Sequence, residues 1–253
     1  MITEPFAGGD SQLHRLDPRV KILLVAVYST VVSVCTSMVT PAAALVVSVF
    51  LVLQARLDLL KVGRRLLVVN GLIFFFWLVL PLTFSGEPLF RLGPWDVSRQ
   101  GVLLSARITL KSNAIVLAFI ALVATSSMVS IGHALHKLGL PDKMAHLFLL
   151  TYRYVFVLEQ EYARLWRAAR VRAFHPGSNL LTYRTLAYLL GMLLVRACAR
   201  GERVHQAMVC RGFEGRFVSL KEFNFVSADW CWSAGLVLIT IVLAVLEWGG
   251  ITW

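Results

Sequence analysis

The stretch "LLVVNGLIFFFWLVLPLTF", residues 66–84, runs for nineteen residues without a charged side chain. About 20 predominantly apolar residues carry a helix across the hydrocarbon core of a bilayer. Pro81 interrupts the end of the run and Ser85-Gly86 closes it. The stretch predicts a transmembrane helix, and the composition around it agrees. Of the 253 residues, 58% are hydrophobic and 15% are charged, whereas soluble domains carry about 25% charged residues. The opening "MITEPFAGGD" has no basic segment and contains Glu4 and Asp10. It is not expected to act as a signal peptide, so the first span is expected to stay in the mature protein.

Further spans are expected on both sides of this run. Upstream lie residues 22–39, preceded by "HRLDPRVK", and residues 41–55, "PAAALVVSVFLVLQA". These two predict a tight helical hairpin turning at Thr40-Pro41, with Pro41 near the start of the second helix. Asp17-Pro18 suits the start of the first, with Asp as N-cap and Pro in the first turn. Downstream lie residues 112–131, extended backwards by an amphipathic turn bearing Arg107 and Lys111, and residues 230–248, bounded by tryptophans as interfacial anchors are. The expected fold class is all-α: a polytopic membrane protein with about five transmembrane helices and a long cytoplasmic helical region. The expected organisation is a four-span bundle over 1–131, the cytoplasmic region over 132–222 and a last span over 223–253.

Charge orients these spans. The formal net charge is +11, and Lys plus Arg number 3 in residues 1–21, 4 in 55–65, 4 in 85–111 and 14 in 132–222. The arginines lie beside apolar spans, so anionic lipid and the positive-inside rule account for them, and nucleic-acid binding is not expected. The N-terminus, 56–65 and 132–222 are therefore expected in the cytoplasm, with 36–41, 85–100 and the C-terminus outside. Arg107 and Lys111 are the exceptions, as snorkelling side chains or the marks of a later span start. The expected location is a prokaryotic cell (inner) membrane.

Residues 132–222 read as helices. "GHALHKLGLPDK" predicts a short helix closed by Gly139, then a turn at Pro141. From Lys143 to about Arg172 nothing breaks a helical pattern. Val155, Leu158, Tyr162, Leu165, Trp166 and Ala169 recur at three- and four-residue steps, with Arg153, Gln160, Arg164 and Arg167 opposite. "HPGSN", residues 175–179, interrupts the pattern. A second long helix is expected over residues 180–210, and its apolar start, 183–195, is greasy enough to dip into the bilayer. Each helix ends in an arginine–phenylalanine knot: Arg172-Ala173-Phe174 in "AARVRAF", and Arg211-Gly212-Phe213 in "AMVCRGFEGRF". Arginine forms bidentate, charge-assisted bonds to carboxylates, a helix C-terminus favours cations, and phenylalanine can anchor in an apolar pocket. Two such ends suit a dimeric partner with two similar grooves. Taken singly, each is also explained as a basic helix cap at the membrane surface.

"AMVCRGFEGRF", the looser "RAARVRAFHP" and the N-terminal "SQLHRLDPRVK" together resemble the transmembrane (T) component of energy-coupling factor transporters, nearest the CbiQ/NikQ type that serves cobalt or nickel uptake. The resemblance spans nearly the whole chain. It implies that residues 132–222 form coupling helices whose ends dock on two ABC-type ATPase subunits. By resemblance the docking residues are Arg172, Ala173 and Phe174 at the first end and Arg211, Gly212 and Phe213 at the second. The usual knot of the family reads Ala-Arg-Gly. The first end lacks that glycine, and Ala169-Arg170-Val171 is an alternative match, which brings in Arg170. The other implied partners are membrane lipid and a substrate-binding membrane subunit, a cobalt- or nickel-binding S component of the CbiM/NikM-like kind. The resemblance implies no enzyme activity, cofactor or metal in this chain, ATP and magnesium being bound by the ATPase subunits. The alternatives are a T component shared among vitamin-binding subunits and a stand-alone secondary transporter.

Other candidates carry less. His133 and His136 can share a helix face, but a metal site needs further ligands. Glu159 and Glu161 are two apart and cannot share one, so they are not an acid–base pair. Asn113, Thr125, Ser126, Ser127 and Ser130 are expected to pack helices together. Cys35, Cys198, Cys210 and Cys231 form no Cys-x-x-Cys pair and are expected as free thiols. No phosphate-binding loop, Gly-x-Ser-x-Gly or His-Glu-x-x-His occurs. The scarcity of charge inside the spans argues against an ion-coupled secondary transporter.

Overall fold

The computed structural model describes residue 9 and residues 11–83, 88–92, 95–213 and 227–248. Among these the chain is almost wholly helical. In order come α1 (Gln12–Arg15), α2 (Pro18–Val34), α3 (Val39–Gln54), α4 (Leu59–Thr83), β1 (Pro88–Leu92), β2 (Trp95–Ser98), α5 (Arg99–Leu122), α6 (Met128–Lys137), α7 (Asp142–Val171), α8 (Leu180–Cys210) and α9 (Ser227–Trp248). They fall into two compact units. One comprises the described residues within Met128–Glu222, the other those within Glu4–Ser127 and Phe223–Trp253.

The second of these holds α2 to α5 and α9. The Asp17 carboxylate accepts the Arg19 N–H at 3.0 Å, and Pro18 opens the helix. α2 stops at Val34, five residues before the expected end at 39. A set of donors fixes the turn there. The Glu247 carboxylate, near the end of α9, accepts the hydroxyls of Ser37 (2.7 Å), Thr40 (2.8 Å) and Thr36 (2.9 Å), and the Ser37 N–H at 3.1 Å. The first N–H groups of a helix have no partner within it. A carboxylate over the start of α3 supplies one to the chain just before that helix. Pro41 sits in the first turn of α3, as expected.

α4 starts at Leu59 rather than 66, which brings Lys61, Arg64 and Arg65 onto the helix. Residues 85–100 contain an element absent from the sequence reading, the antiparallel pair of β1 and β2. α5 then starts at Arg99, well before the expected 112. Ser98 caps it, accepting the Gly101 N–H at 3.0 Å. Gly101 is needed for contact, since a Cβ there would lie 2.7 Å from the Leu80 carbonyl oxygen and the Pro81 Cα. Arg107 and Lys111 are therefore inside a helix. Lys111 donates to the Ser33 carbonyl at 2.8 Å, in the last turn of α2, where unpaired carbonyls attract cations.

The other end of α5 also corrects the sequence reading. The run expected to reach 131 stops at Leu122. The Thr125 hydroxyl turns back onto the carbonyls of Leu122 (2.9 Å) and Ala121 (3.1 Å). Lys21, only 1% exposed, donates to the Ser126 hydroxyl at 3.0 Å and reaches the Thr125 hydroxyl at 3.4 Å. Thr125 and Ser126 thus hold a bend rather than a helix face, whereas Ser130 is buried on α6.

Small side chains let these helices approach. Ala114, Ala118 and Ala121 of α5 are buried, as is Ala44 of α3. The Tyr28 hydroxyl donates to the Ala44 carbonyl at 2.7 Å, joining α2 to α3. α4 and α5 run antiparallel, bonded from Asn113 to Asn70 (3.0 Å) and from the Trp77 indole to Thr109 (2.9 Å).

The unit within Met128–Glu222 holds α6, α7 and α8. Gly132 of α6 packs so closely on α7 that a Cβ would meet the Leu149 side chain at 2.7 Å. By length and composition α4, α5 and α8 can cross a membrane, and Val39–Gln54 and Trp232–Trp248 are shorter apolar helices. The apolar start of α8 is exposed, with Leu181, Tyr183 and Leu194 each more than 60% accessible.

Candidate coupling interface

The ends of α7 and α8 have the same backbone. Arg172 and Arg211 occupy the C-cap positions, at φ −86°, ψ 26° and φ −92°, ψ 12°. The next residue is left-handed in both: Ala173 at φ +59° and Gly212 at φ +80°. The bonding matches too. At the first end the Phe174 N–H reaches the Ala169 carbonyl and the Ala173 N–H the Arg170 carbonyl, both at 3.1 Å. At the second the Phe213 N–H reaches Met208 at 3.0 Å and the Gly212 N–H reaches Val209 at 2.9 Å. Each is a Schellman cap, in which the two residues after the C-cap bond back across the last turn.

The structure therefore puts Arg172, not Arg170, at the position matching Arg211, with Phe174 matching Phe213. Both C-cap arginines are exposed. The phenylalanines turn back onto their own unit. Phe174 meets Trp166 edge to face at 5.9 Å, and Phe213 lines a cavity of about 410 Å³ with Tyr154, Leu158 and Met208.

Ala173 takes the left-handed conformation without being glycine. That conformation costs an L-residue roughly 1–2 kcal/mol. Ala173→Gly should therefore strengthen the first cap by about 1 kcal/mol and slow exchange of the Phe174 amide by about fivefold. Gly212→Ala, in open space, should weaken the second cap by about as much. Amide hydrogen exchange of the two phenylalanines measures both. Opposite shifts at the two ends are the expected result.

The clamp between α7 and α8 was not legible as a site. Glu161 is 7% exposed. Its carboxylate accepts a short bond from the Arg196 guanidinium and pairs with Arg164 at 3.0 Å, while Arg200 stands at 3.9 Å. The helical pattern placed Tyr162 on the buried face, yet Tyr162 is 39% exposed and Glu161 takes that place. The reason is charge pairing: a buried carboxylate needs partners, and Arg196 and Arg200 of α8, four residues apart, share a face. The signal in the sequence was a glutamate spaced three and four residues from Leu158 and Leu165.

The Arg196 hydrogen bond, with smaller help from Arg164 and Arg200, holds the Glu161 carboxyl below its ordinary value of 4.5, against a smaller opposing effect of burial. A depressed folded-state pKa makes the native state the weaker proton binder. The clamp should be at full strength above about pH 4.5 and fade as pH falls below it. A spin-label distance between α7 and α8 should widen on acidification below that value. In Glu161→Gln the acid-dependent part of that widening should disappear.

His136 faces Asp142 at 3.2 Å, and its ring lies 6.3 Å from that of His146. Among the described residues no group of three His, Cys, Asp or Glu side chains is poised for a metal ion. Cys35, Cys198 and Cys210 are free thiols.

Comparison with known proteins identifies the family. The family described as "Cobalt transport protein", CbiQ, matches residues 9–221. The energy-coupling factor transporter transmembrane protein EcfT of Brevibacillus brevis is 27% identical over 254 residues, covering 96% of each chain. The protein of the same name from Acidaminococcus fermentans is 27% identical over 257 residues, covering 95% of this chain and 94% of its own. That from Bacillus subtilis is 26% identical over 226 residues, covering 85% of each. A membrane subunit of this kind is not an enzyme; ATP hydrolysis lies with partner subunits, and substrate capture with an S component. With a family match over residues 9–221 and relatives aligned over 85–96% of its length, this chain belongs to the CbiQ family, the transmembrane (T) components of energy-coupling factor transporters.

Proposed function

We propose that this T component couples ATP hydrolysis to uptake of cobalt or nickel. The observation that carries the coupling is the pair of Schellman-capped helix ends, each presenting an exposed arginine followed by a left-handed turn. Arg172, Ala173 and Phe174, with Arg170 two residues back, dock on one ABC-type ATPase; Arg211, Gly212 and Phe213 dock on a second. The Glu161 clamp ties the two helices so that closure of the ATPase pair reaches both together. ATP and magnesium stay on the ATPases, and this chain holds no cofactor.

The cation reading rests on the family's description, and the S component is then of the CbiM/NikM-like kind. In this topology the N-terminus and α6 to α8 are cytoplasmic, α2 to α5 and α9 span the inner membrane, and the C-terminus is outside. This keeps the membrane bundle, cytoplasmic region and last span of 1–131, 132–222 and 223–253, with the first boundary moved to 127, ahead of α6. A second reading has its own support: the relatives carry the general transporter name with no ion in it. In that case one T component serves several vitamin-binding subunits.

Affinity purification of the tagged chain from its native membrane tests both. Two ATPase chains and one cobalt- or nickel-binding membrane subunit are expected. Deletion should abolish uptake of radiolabelled cobalt or nickel and spare vitamin uptake. Recovery of several vitamin-binding subunits would replace the cation reading by the second. Recovery without any ATPase would overturn the coupling role.

A further inference from the structure

We infer that Lys21 is a positioning residue for coupling: it latches the N-terminal segment to the bend through which α6 to α8 act on the bundle. The inference rests on the coupling role proposed above. A lysine beside an apolar span ordinarily keeps its ammonium in water or among lipid headgroups. Lys21 does neither, being 1% exposed. Its ammonium donates to the Ser126 hydroxyl at 3.0 Å and reaches the Thr125 hydroxyl and the His14 carbonyl, each at 3.4 Å. One side chain thus ties α1 and the start of α2 to a segment more than a hundred residues later.

The N-terminal side of the latch is itself anchored. Leu13 and Leu16 are buried in the same apolar cluster as Leu117, Ile120 and Leu122 of α5, so α1 is fixed to the core. On the other side, residues 123–127 join α5 to α6, and the chain passes from one compact unit to the other after Ser127. Local bonds shape this bend. The Ser126 N–H returns to the Val123 carbonyl at 3.0 Å, and the Thr125 hydroxyl to the carbonyls of Ala121 and Leu122. Such bonds set the curvature of the bend. Lys21 ties it to a fixed point on the bundle.

Stability alone does not account for a buried ammonium. Taking a charge out of water carries a large penalty, and replacing buried charged groups by apolar side chains of similar volume is often neutral or stabilising. What the ammonium supplies is geometry. Its three donors can hold several oxygens at once, and low polarity around them strengthens each bond. An apolar side chain of the same length would fill the space without choosing a position for the bend. A coupling element needs that choice. Motion delivered to α6 reaches the bundle through this link only if the link does not give.

Lys21→Met removes the ammonium and keeps the length of the side chain, and two measurements on it test the latch. In the purified chain, exchange of the Ala124 and Ser126 amides should speed about tenfold, while exchange within α3 is unchanged. In proteoliposomes holding the chain with its ATPases and substrate-binding subunit, ATP hydrolysis should continue. Uptake of labelled cobalt or nickel per ATP should fall at least about fivefold. Ser126→Ala, which deletes the shortest of these bonds and leaves Lys21 in place, should shift both readouts the same way by less. A merely structural lysine predicts a lower melting temperature and less complex recovered, with uptake per ATP intact in what remains. That result would overturn the proposal. So would unchanged exchange at Ala124 and Ser126, or faster exchange with normal uptake per ATP. Wild type that recovers no ATPase would remove the coupling reading and this role with it. Exchange in the chain alone tells that failure from the absence of the latch.

Discussion

Arg211→Glu is expected to leave this protein folded and to separate it from its ATPases. The residue sits at a C-cap whose bonds are made by backbone N–H groups, so its side chain contributes nothing to them. It is exposed, so reversal of its charge costs the fold little. In the proposed complex the same side chain meets a carboxylate in an ATPase groove. Breaking a buried, hydrogen-bonded charge pair across an interface costs about 2–5 kcal/mol, or roughly 30-fold to several-thousand-fold in affinity. Glutamate adds repulsion to that loss. Pull-down of the ATPases through the tagged variant, beside its size-exclusion profile, measures both sides of the claim. A monodisperse variant that recovers no ATPase and drives no uptake is the expected result. Normal recovery would remove Arg211 from the interface. Arg172→Glu should behave alike and Arg170→Glu should be milder, because Arg172 alone shares the backbone position of Arg211.

Glu247→Ala should produce the largest loss of stability. Its carboxylate gathers the hydroxyls of Thr36, Ser37 and Thr40 and the Ser37 N–H. Hydrogen bonds to a charged group contribute about 1.5–3 kcal/mol each, and donors left without a partner cost more than a bond never made. Some donors will find water at this partly exposed turn. A net loss of about 2–4 kcal/mol is therefore expected. Glu247→Gln keeps one acceptor oxygen and should fall between. Thermal unfolding in detergent gives the ranking, and exchange of the Thr36 and Ser37 amides locates it. If Glu247→Ala unfolds like wild type, the clamp on the α2–α3 turn is not what holds α9.

These two residues differ in how far the sequence announced them. Arg211 was legible because its recognition is local. An arginine, a glycine and a phenylalanine after a long helix describe a cap by themselves, and their repeat at Arg172 strengthened the reading. Ala173 weakened it, because alanine rarely takes a left-handed turn. The structure shows that the Schellman bonds impose the turn regardless. Glu247 was silent. Nothing in a glutamate near the end of an apolar run says that it reaches a turn more than 200 residues earlier.

The apolar runs and their flanking charges by themselves determined that this chain is a helical membrane protein with a charged multi-helix region before its last span. Burial of apolar surface depends on composition and period, and both are written along the chain. Only the tertiary structure decided where the helices stop and which carboxylates are clamped. α5 ends at Leu122 because Lys21, a hundred residues away, meets Thr125 and Ser126 there. Glu161 faces inward because Arg196 and Arg200 come to it from another helix. Partners like these are set by packing in three dimensions, and hydropathy, a sum over neighbours in sequence, contains no record of them.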